Sequence, residues 1–309
     1  MIKFRISNLN PFNNHNEMST FEYVLKKLFA FFLIYAVSAI IGEAIIIGIL
    51  YGLGYDPLHG SMPEGLLAEL LPYYGFLIFL LVAVAYCKFI EKRTRKTNIF
   101  TKQITDYFAG TGLAVLLLFL IFVLCYITNA IVFVRFNISQ NLLPLLLYFL
   151  AFVIQGAAEE MMCRGFLFLS LLKKTNTFVA MIVSSTAFAV PHLFSLFESE
   201  LTYAIIGTIN LYLISAIFSL LVLLRSNIWI ACGLHSIWNF IIYGFLGLSL
   251  SGSNQHTNGI VQFSIEHSNL LNGGKYGIEA SIITTLILVV LFVVLLKNWK
   301  GKVEKNGIS

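Results

Sequence analysis

Apolar residues in this chain come in long, nearly unbroken runs, separated by short polar or basic stretches. Strand-like alternation is not the pattern. The runs lie at about Leu28–Leu50, Leu70–Ile90, Phe108–Ile127, Leu145–Leu171, Thr177–Phe197, Tyr203–Leu224, Ile228–Leu248 and Ile282–Leu296. Roughly 20 apolar residues in an α-helix cross the ~30 Å hydrocarbon core of a bilayer. The pattern therefore predicts an all-α polytopic membrane protein, a bundle of about eight transmembrane helices forming one integral membrane domain over residues 1–309.

Composition agrees. Hydrophobic residues make up 58% of the chain and charged residues only 11%, with a mean hydropathy of +0.85. Soluble domains carry about 25% charged residues, so an ordinary water-soluble enzyme is excluded. The formal net charge is +5. No basic patch interleaved with aromatic residues points to nucleic acid; the positive charge follows from where Lys and Arg sit between the runs. Lys3, Arg5, Lys26, Lys27, the Lys88–Lys102 cluster with Lys92, Arg93, Arg95 and Lys96, then Lys173, Lys174, Arg225 and the Lys-rich tail fall on one side. The opposite loops hold Arg135 and Lys275 beside Asp56, Glu64, Glu198, Glu200 and Glu266. The positive-inside rule puts both termini and the basic loops in the cytoplasm, and eight spans preserve the alternation. Residues 1–24 are expected to be a polar tail, 249–280 a flexible extracytoplasmic loop, and 297–309 a basic tail. The four cysteines, Cys87, Cys125, Cys163 and Cys232, form no CxxC pair and read as small buried hydrophobes.

Charges inside the fourth run break the pattern: Gln155-Gly156-Ala157-Ala158-Glu159-Glu160-Met161-Met162-Cys163-Arg164. A charge at the centre of a membrane helix costs roughly 2.5–3.5 kcal/mol on insertion scales, so these groups need internal partners or a function. Glu160 and Arg164 are spaced for an intrahelical ion pair. Glu159 points about 100° away, toward another neighbour. Gly156, one turn earlier, permits close helix approach. Two further polar pairs lie in spans: Phe188 with His192, next to Pro191, and His235 with Asn239. Pro191 removes a backbone donor and can free a carbonyl near His192. A lone membrane His more often makes a helix–helix hydrogen bond than a catalyst. His15, His59, His256 and His267 lie in polar segments. Glu43 and Asn210, also inside spans, have no assigned role; for Asn210 the simplest reading is an interhelical hydrogen bond.

Helical rise puts Glu159 roughly 21 Å from Lys173, His192 roughly 24 Å from Asn176 and His235 roughly 15 Å from Arg225. A carboxylate, two imidazoles and an amide can thus meet within the bilayer. Glu could take a proton from water positioned by one imidazole, while the second imidazole and the amide donate to an oxyanion. Glu159, His192 and His235 could equally be ligands of a divalent metal such as Zn, although no His-Glu-x-x-His is present. A cofactor is either unnecessary or such a metal.

These three motifs, Glu159-Glu160-x-x-x-Arg164, Phe188-x-x-x-His192 and His235-x-x-x-Asn239, resemble those of the CPBP family (CAAX protease and bacteriocin-processing, or Abi) of intramembrane endopeptidases. Gly165-Phe166-Leu167 and the Arg225–Trp229 lead-in also look like the family's flanks. The resemblance covers a core of 142–248; the first three spans and the last fit by number only. The stretch between the second and third motifs is poorer in Gly than is usual in the family. By resemblance, Glu159 is the general base, His192 holds the water, His235 and Asn239 form the oxyanion site, and Glu160, Arg164 and Phe188 support it. The implied substrate is a membrane-associated peptide or protein, prenylated or bacteriocin-related, at a bacterial cell membrane. The family has been described both as metalloproteases and as glutamate-activated hydrolases. Two alternatives stay open. One is a non-catalytic bacteriocin-immunity or regulatory protein binding a peptide or kinase. The other is a transporter using the carboxylates as proton relays.

Overall fold

The computed structural model describes residues 6–13, 18–92, 103–137, 142–253 and 259–305. Lys3, Arg5, Arg93, Arg95, Lys96 and Lys102 of the basic side, with His15 and His256, lie outside the described residues. Among the described residues, seven helices are long and apolar enough to cross a membrane. They are α1 (Thr20–Gly52), α2 (Leu66–Phe89), α3 (Thr105–Ile127), α4 (Leu142–Leu171), α5 (Thr177–Phe197), α6 (Leu201–Arg225) and, last in the chain, α8 (Ile282–Lys305). The protein is a multi-pass integral membrane bundle, and apolar side chains such as Phe119, Phe178 and Val290 cover its outside.

One of the runs expected as a span differs from the rest. The run Ile228–Leu248 forms α7 (Trp229–Asn239), 11 residues long, followed by a 6-residue π-helical continuation, Phe240–Phe245. It is shorter than the other spans, and every residue from Ile230 to Asn239 is buried. Neighbouring helices, not lipid, surround it. A hydropathy window scores both environments alike, so the run reads as an ordinary span in sequence.

Close packing of α7 depends on two contacts without side chains. A Cβ on Gly156 of α4 would lie 2.5 Å from Ser236 Oγ and 2.9 Å from Ser236 N. On the other flank, a Cβ at Gly110 of α3 or Gly233 of α7 would come within 2.0 Å of a carbonyl oxygen of the facing helix. Glycine at these crossings lets backbones touch, the means of helix association in an apolar solvent.

The basic residues collect at one end. Ser19 and Glu22 form a capping box at the start of α1. Lys27 pairs with Glu91, which also lies 3.7 Å from Lys173 Nζ. Asn227 Nδ2 donates to Asp106 Oδ2 at 2.6 Å, and Lys302 Nζ to Leu224 O at 2.9 Å. The 297–309 tail is helical as far as Lys305, because α8 runs on past Leu296. The 1–24 segment is not simply a tail either. Ile6–Leu9 forms a turn whose Asn8 is buried, with Nδ2 donating to Glu22 Oε1 at 3.1 Å.

The opposite end is capped by an antiparallel pair, β1 (Val132–Phe136) and β2 (Val261–Ser264), with Val132 opposite Ser264, Phe136 opposite Val261, and a bulge between Phe133 and Arg135. The 249–280 segment, expected to be a flexible loop, supplies β2 and the turns Gly274–Tyr276 and Ile278–Ala280. Asn210 of α6 clamps it, donating from Nδ2 to Glu279 O at 2.8 Å and Ser281 O at 3.1 Å. Burial, aided by the nearby Glu279 charge, pushes the Tyr276 phenol in this segment above its ordinary pKa. Glu43 is exposed on the outer surface of α1.

Candidate active site

The site is built from α4, α5, α6 and α7 in the middle of the bundle. Glu160 and Arg164 are both fully buried, and Arg164 Nη1 donates to Glu160 Oε1 at 2.9 Å. Arg164 Nη2 donates to Ser215 O at 3.1 Å and Ser215 Oγ at 2.6 Å, tying α4 to α6. Its guanidinium carbon sits 4.7 Å from the Phe188 ring centroid and 4.8 Å from that of Phe218. A cation between two aromatic faces gains from their quadrupoles where water is excluded. Removing one partner of such a buried pair leaves the other uncompensated, a loss of about 3–5 kcal/mol.

Backbone geometry changes at the site. From Met161 to Phe168, directly after the two glutamates, α4 widens into a π-helix. The π segment of α7 likewise begins directly after Asn239. Short π segments inside α-helices recur at functional sites, because they re-aim side chains relative to a regular helix.

His235 lies between the two carboxylates. Its Nδ1 is 2.9 Å from Glu160 Oε1 and its Nε2 is 3.8 Å from Glu159 Oε2. Because a carboxylate accepts, Nδ1 carries the proton. The ring stacks on Phe218 at 5.3 Å. Glu159 differs from its neighbour, with its side chain 17% exposed against 0% for Glu160. Gln155, one turn earlier, donates from Nε2 to Glu159 Oε1 at 3.0 Å and accepts from Asn239 Nδ2 at 3.3 Å. One amide thus links Asn239 to Glu159.

His192 follows a break in α5. The helix is regular to Ala189, turns as 3₁₀ through Val190–His192, and resumes at Leu193–Phe197. Pro191 cannot donate, so the ladder must break there. His192 Nδ1 lies 3.1 Å from Phe188 O. A carbonyl only accepts, so Nδ1–H donates and Nε2 keeps its lone pair. Phe188 is the hub, with its ring 5.2 Å from that of His192 and 5.8 Å from that of His235.

Two adjoining cavities share Phe188 and His192. One, of ≈50 Å³, is also lined by Glu159, Met162, Tyr35 and Phe31. The other, of ≈110 Å³, is lined by His235, Asn239, Gln155, Tyr73, Ser251 and Glu279 among others. A water needs about one probe sphere of roughly 10–15 Å³ and two or more polar partners, so both cavities can hold water.

All seven residues named from the sequence, Glu159, Glu160, Arg164, Phe188, His192, His235 and Asn239, come together around these cavities. Among the described residues, no three His, Cys, Asp or Glu side chains are grouped to hold a metal ion. His235 Nδ1 is occupied by Glu160, and its Nε2 is directed toward Glu159. Sequence reasoning misses Gln155, Ser215 and Glu279. Gln155 stands one turn before Glu159 on the same helical face, and that spacing is the signal that could reveal it.

An all-α membrane bundle enclosing a buried Glu–His–Arg network with two small wettable cavities defines an intramembrane polar site. Residues 140–241 match the family model described as type II CAAX prenyl endopeptidase, Rce1-like. No curated protein and no solved structure matches.

Proposed function

We propose that the protein is an intramembrane endopeptidase that hydrolyses a peptide bond of a membrane-associated protein or peptide, CAAX-type or bacteriocin-related, with water activated by Glu159. In this reading Glu159 takes a proton from the water and its oxygen attacks the carbonyl carbon. His192 Nε2 accepts the water's other hydrogen and fixes its direction. Breakage of the C–N bond returns the proton from Glu159 to the leaving amine. Asn239 has a second amide hydrogen, beyond the one given to Gln155, for the developing oxyanion. His235 can donate from Nε2 only as the imidazolium, since Nδ1–H already points at Glu160. The Glu160 carboxylate would balance that charge, which gives Glu160 and Arg164 a purpose beyond packing. With both termini on the cytoplasmic side of a bacterial cell membrane, the basic end of the bundle faces the cytoplasm.

The observation that carries this reading is Glu159 Oε2 at 3.8 Å from His235 Nε2, with Glu159 and His192 lining one cavity. The test uses full-length protein in lipid nanodiscs and a panel of prenylated and unprenylated membrane-tethered peptides. Glu159→Gln is expected to lose roughly 10²–10⁴-fold in kcat. Equal cleavage by both proteins would defeat the proposal and leave the peptide-binding, immunity-type reading.

A further inference from the structure

The charges around the larger cavity are uneven. Glu279, from the segment after α7, forms part of its wall together with His192, His235 and Asn239. Its Oε1 accepts from Trp238 Nε1 at 3.0 Å, and its Oε2 from Ser251 N at 2.7 Å and Ser251 Oγ at 3.2 Å. Those bonds hold the carboxylate in place in the wall it shares with His192, His235 and Asn239. The adjoining cavity brings the Glu159 carboxylate. No Lys or Arg among the described residues lines either cavity, and Arg164 is packed between the rings of Phe188 and Phe218. Tyr73, Trp238 and Phe218 add aromatic side chains to the wall.

A fixed carboxylate with aromatic neighbours and no Lys or Arg in the wall suits a positively charged side chain. It also disfavours an acidic one, because like charges in a poorly solvated space repel. We infer that the Glu279 end of the cavity is a substrate subsite that takes a Lys or Arg side chain of the bound peptide and rejects Asp or Glu. An extended chain advances about 3.3–3.6 Å per residue, so a wall that shares one cavity of ≈110 Å³ with His235 and Asn239 reads a position close to the cleaved bond. Glu279 is then a specificity-determining residue, touching substrate but taking no part in proton transfer. This inference rests on the peptidase reading only for the position of the cut; the binding preference can be measured without cleavage.

The experiment uses full-length Glu159→Gln protein in nanodiscs and fluorescent membrane-tethered peptides. The peptides differ only by Lys, Gln or Glu at each of the two positions flanking the expected cut. Binding is expected to favour Lys over Glu by about tenfold or more at one position. In the Glu159→Gln/Glu279→Gln protein that ratio is expected to fall to within about twofold. A Lys-to-Glu ratio near one at every position in the parent, or an unchanged ratio after Glu279→Gln, would overturn the inference. The parent ratio decides even if the second substitution disturbs folding. Absence of cleavage by wild-type protein would instead strike the peptidase reading and leave the binding ratio intact.

Discussion

Helices α6 and α8 have nearly the same hydropathy, yet 61% of the α6 window is buried inside the protein against 17% for α8. Sequence hydropathy marks both as membrane helices and cannot tell which one lipid covers. The difference lies in the minority residues. On α6, Asn210, Ser215 and Ser219 are buried and hydrogen-bonded, and Ser215 receives Arg164. On α8, Leu286, Val290 and Val294 face outward. In a bilayer, apolar surface gains little by leaving lipid, so small and polar residues mark the protein-facing side and bulky aliphatic residues the other. The chemistry of this molecule sits with the first kind of helix.

That contrast is open to mutation. The largest stability effect is expected for Arg164→Ala, which strands buried Glu160 and removes both bonds to α6. A loss of about 3–5 kcal/mol, read as a fall in the unfolding midpoint in detergent, is expected. An unchanged midpoint would mean the network does not hold the bundle. Next comes Gly156→Val, whose Cβ would enter the space of Ser236. Overpacking should destabilise by about 1–3 kcal/mol and lower activity by shifting α4 against α7. Gly48 of α1, which has nothing near its Cβ, should accept Ala with little change in the same melt. Trp238→Phe, which removes one bond to Glu279, should cost about 1 kcal/mol, detected as earlier proteolysis of the 249–280 segment. The smallest effect belongs to Leu286→Ala on the lipid face. It should stay within about 0.5 kcal/mol, and a larger loss there would show that α8 is covered by protein.

Much of the site is legible in the amino-acid sequence. Glu160–Arg164 pairing, the Gly156 approach and the break at Pro191 each follow from a local rule: four-residue spacing, a missing side chain, a missing donor. Local rules fail where partners come from distant segments. Ser215 stands 51 residues from Arg164, and serine on an apolar helix reads as a small filler. Glu279 follows a long polar stretch with no periodicity, so nothing in its surroundings announces that Trp238, 41 residues earlier, is its partner. The length of α7 escapes hydropathy for a related reason. A helix enclosed by other helices needs no lipid-covered outer face, but its composition is just as apolar. The π segments after Glu160 and Asn239 leave no trace in sequence, since no residue type at those positions demands a wider helix.

The account's central claim is that Glu159 and His192 act on one water in one cavity. A double-mutant cycle on cleavage in nanodiscs tests this most directly, comparing kcat for wild type, Glu159→Gln, His192→Ala and the pair. Groups that work as a unit lose activity once, so the double variant is predicted to be within a few-fold of Glu159→Gln alone. Losses that multiply would mean the two side chains act independently, contradicting the shared-water mechanism.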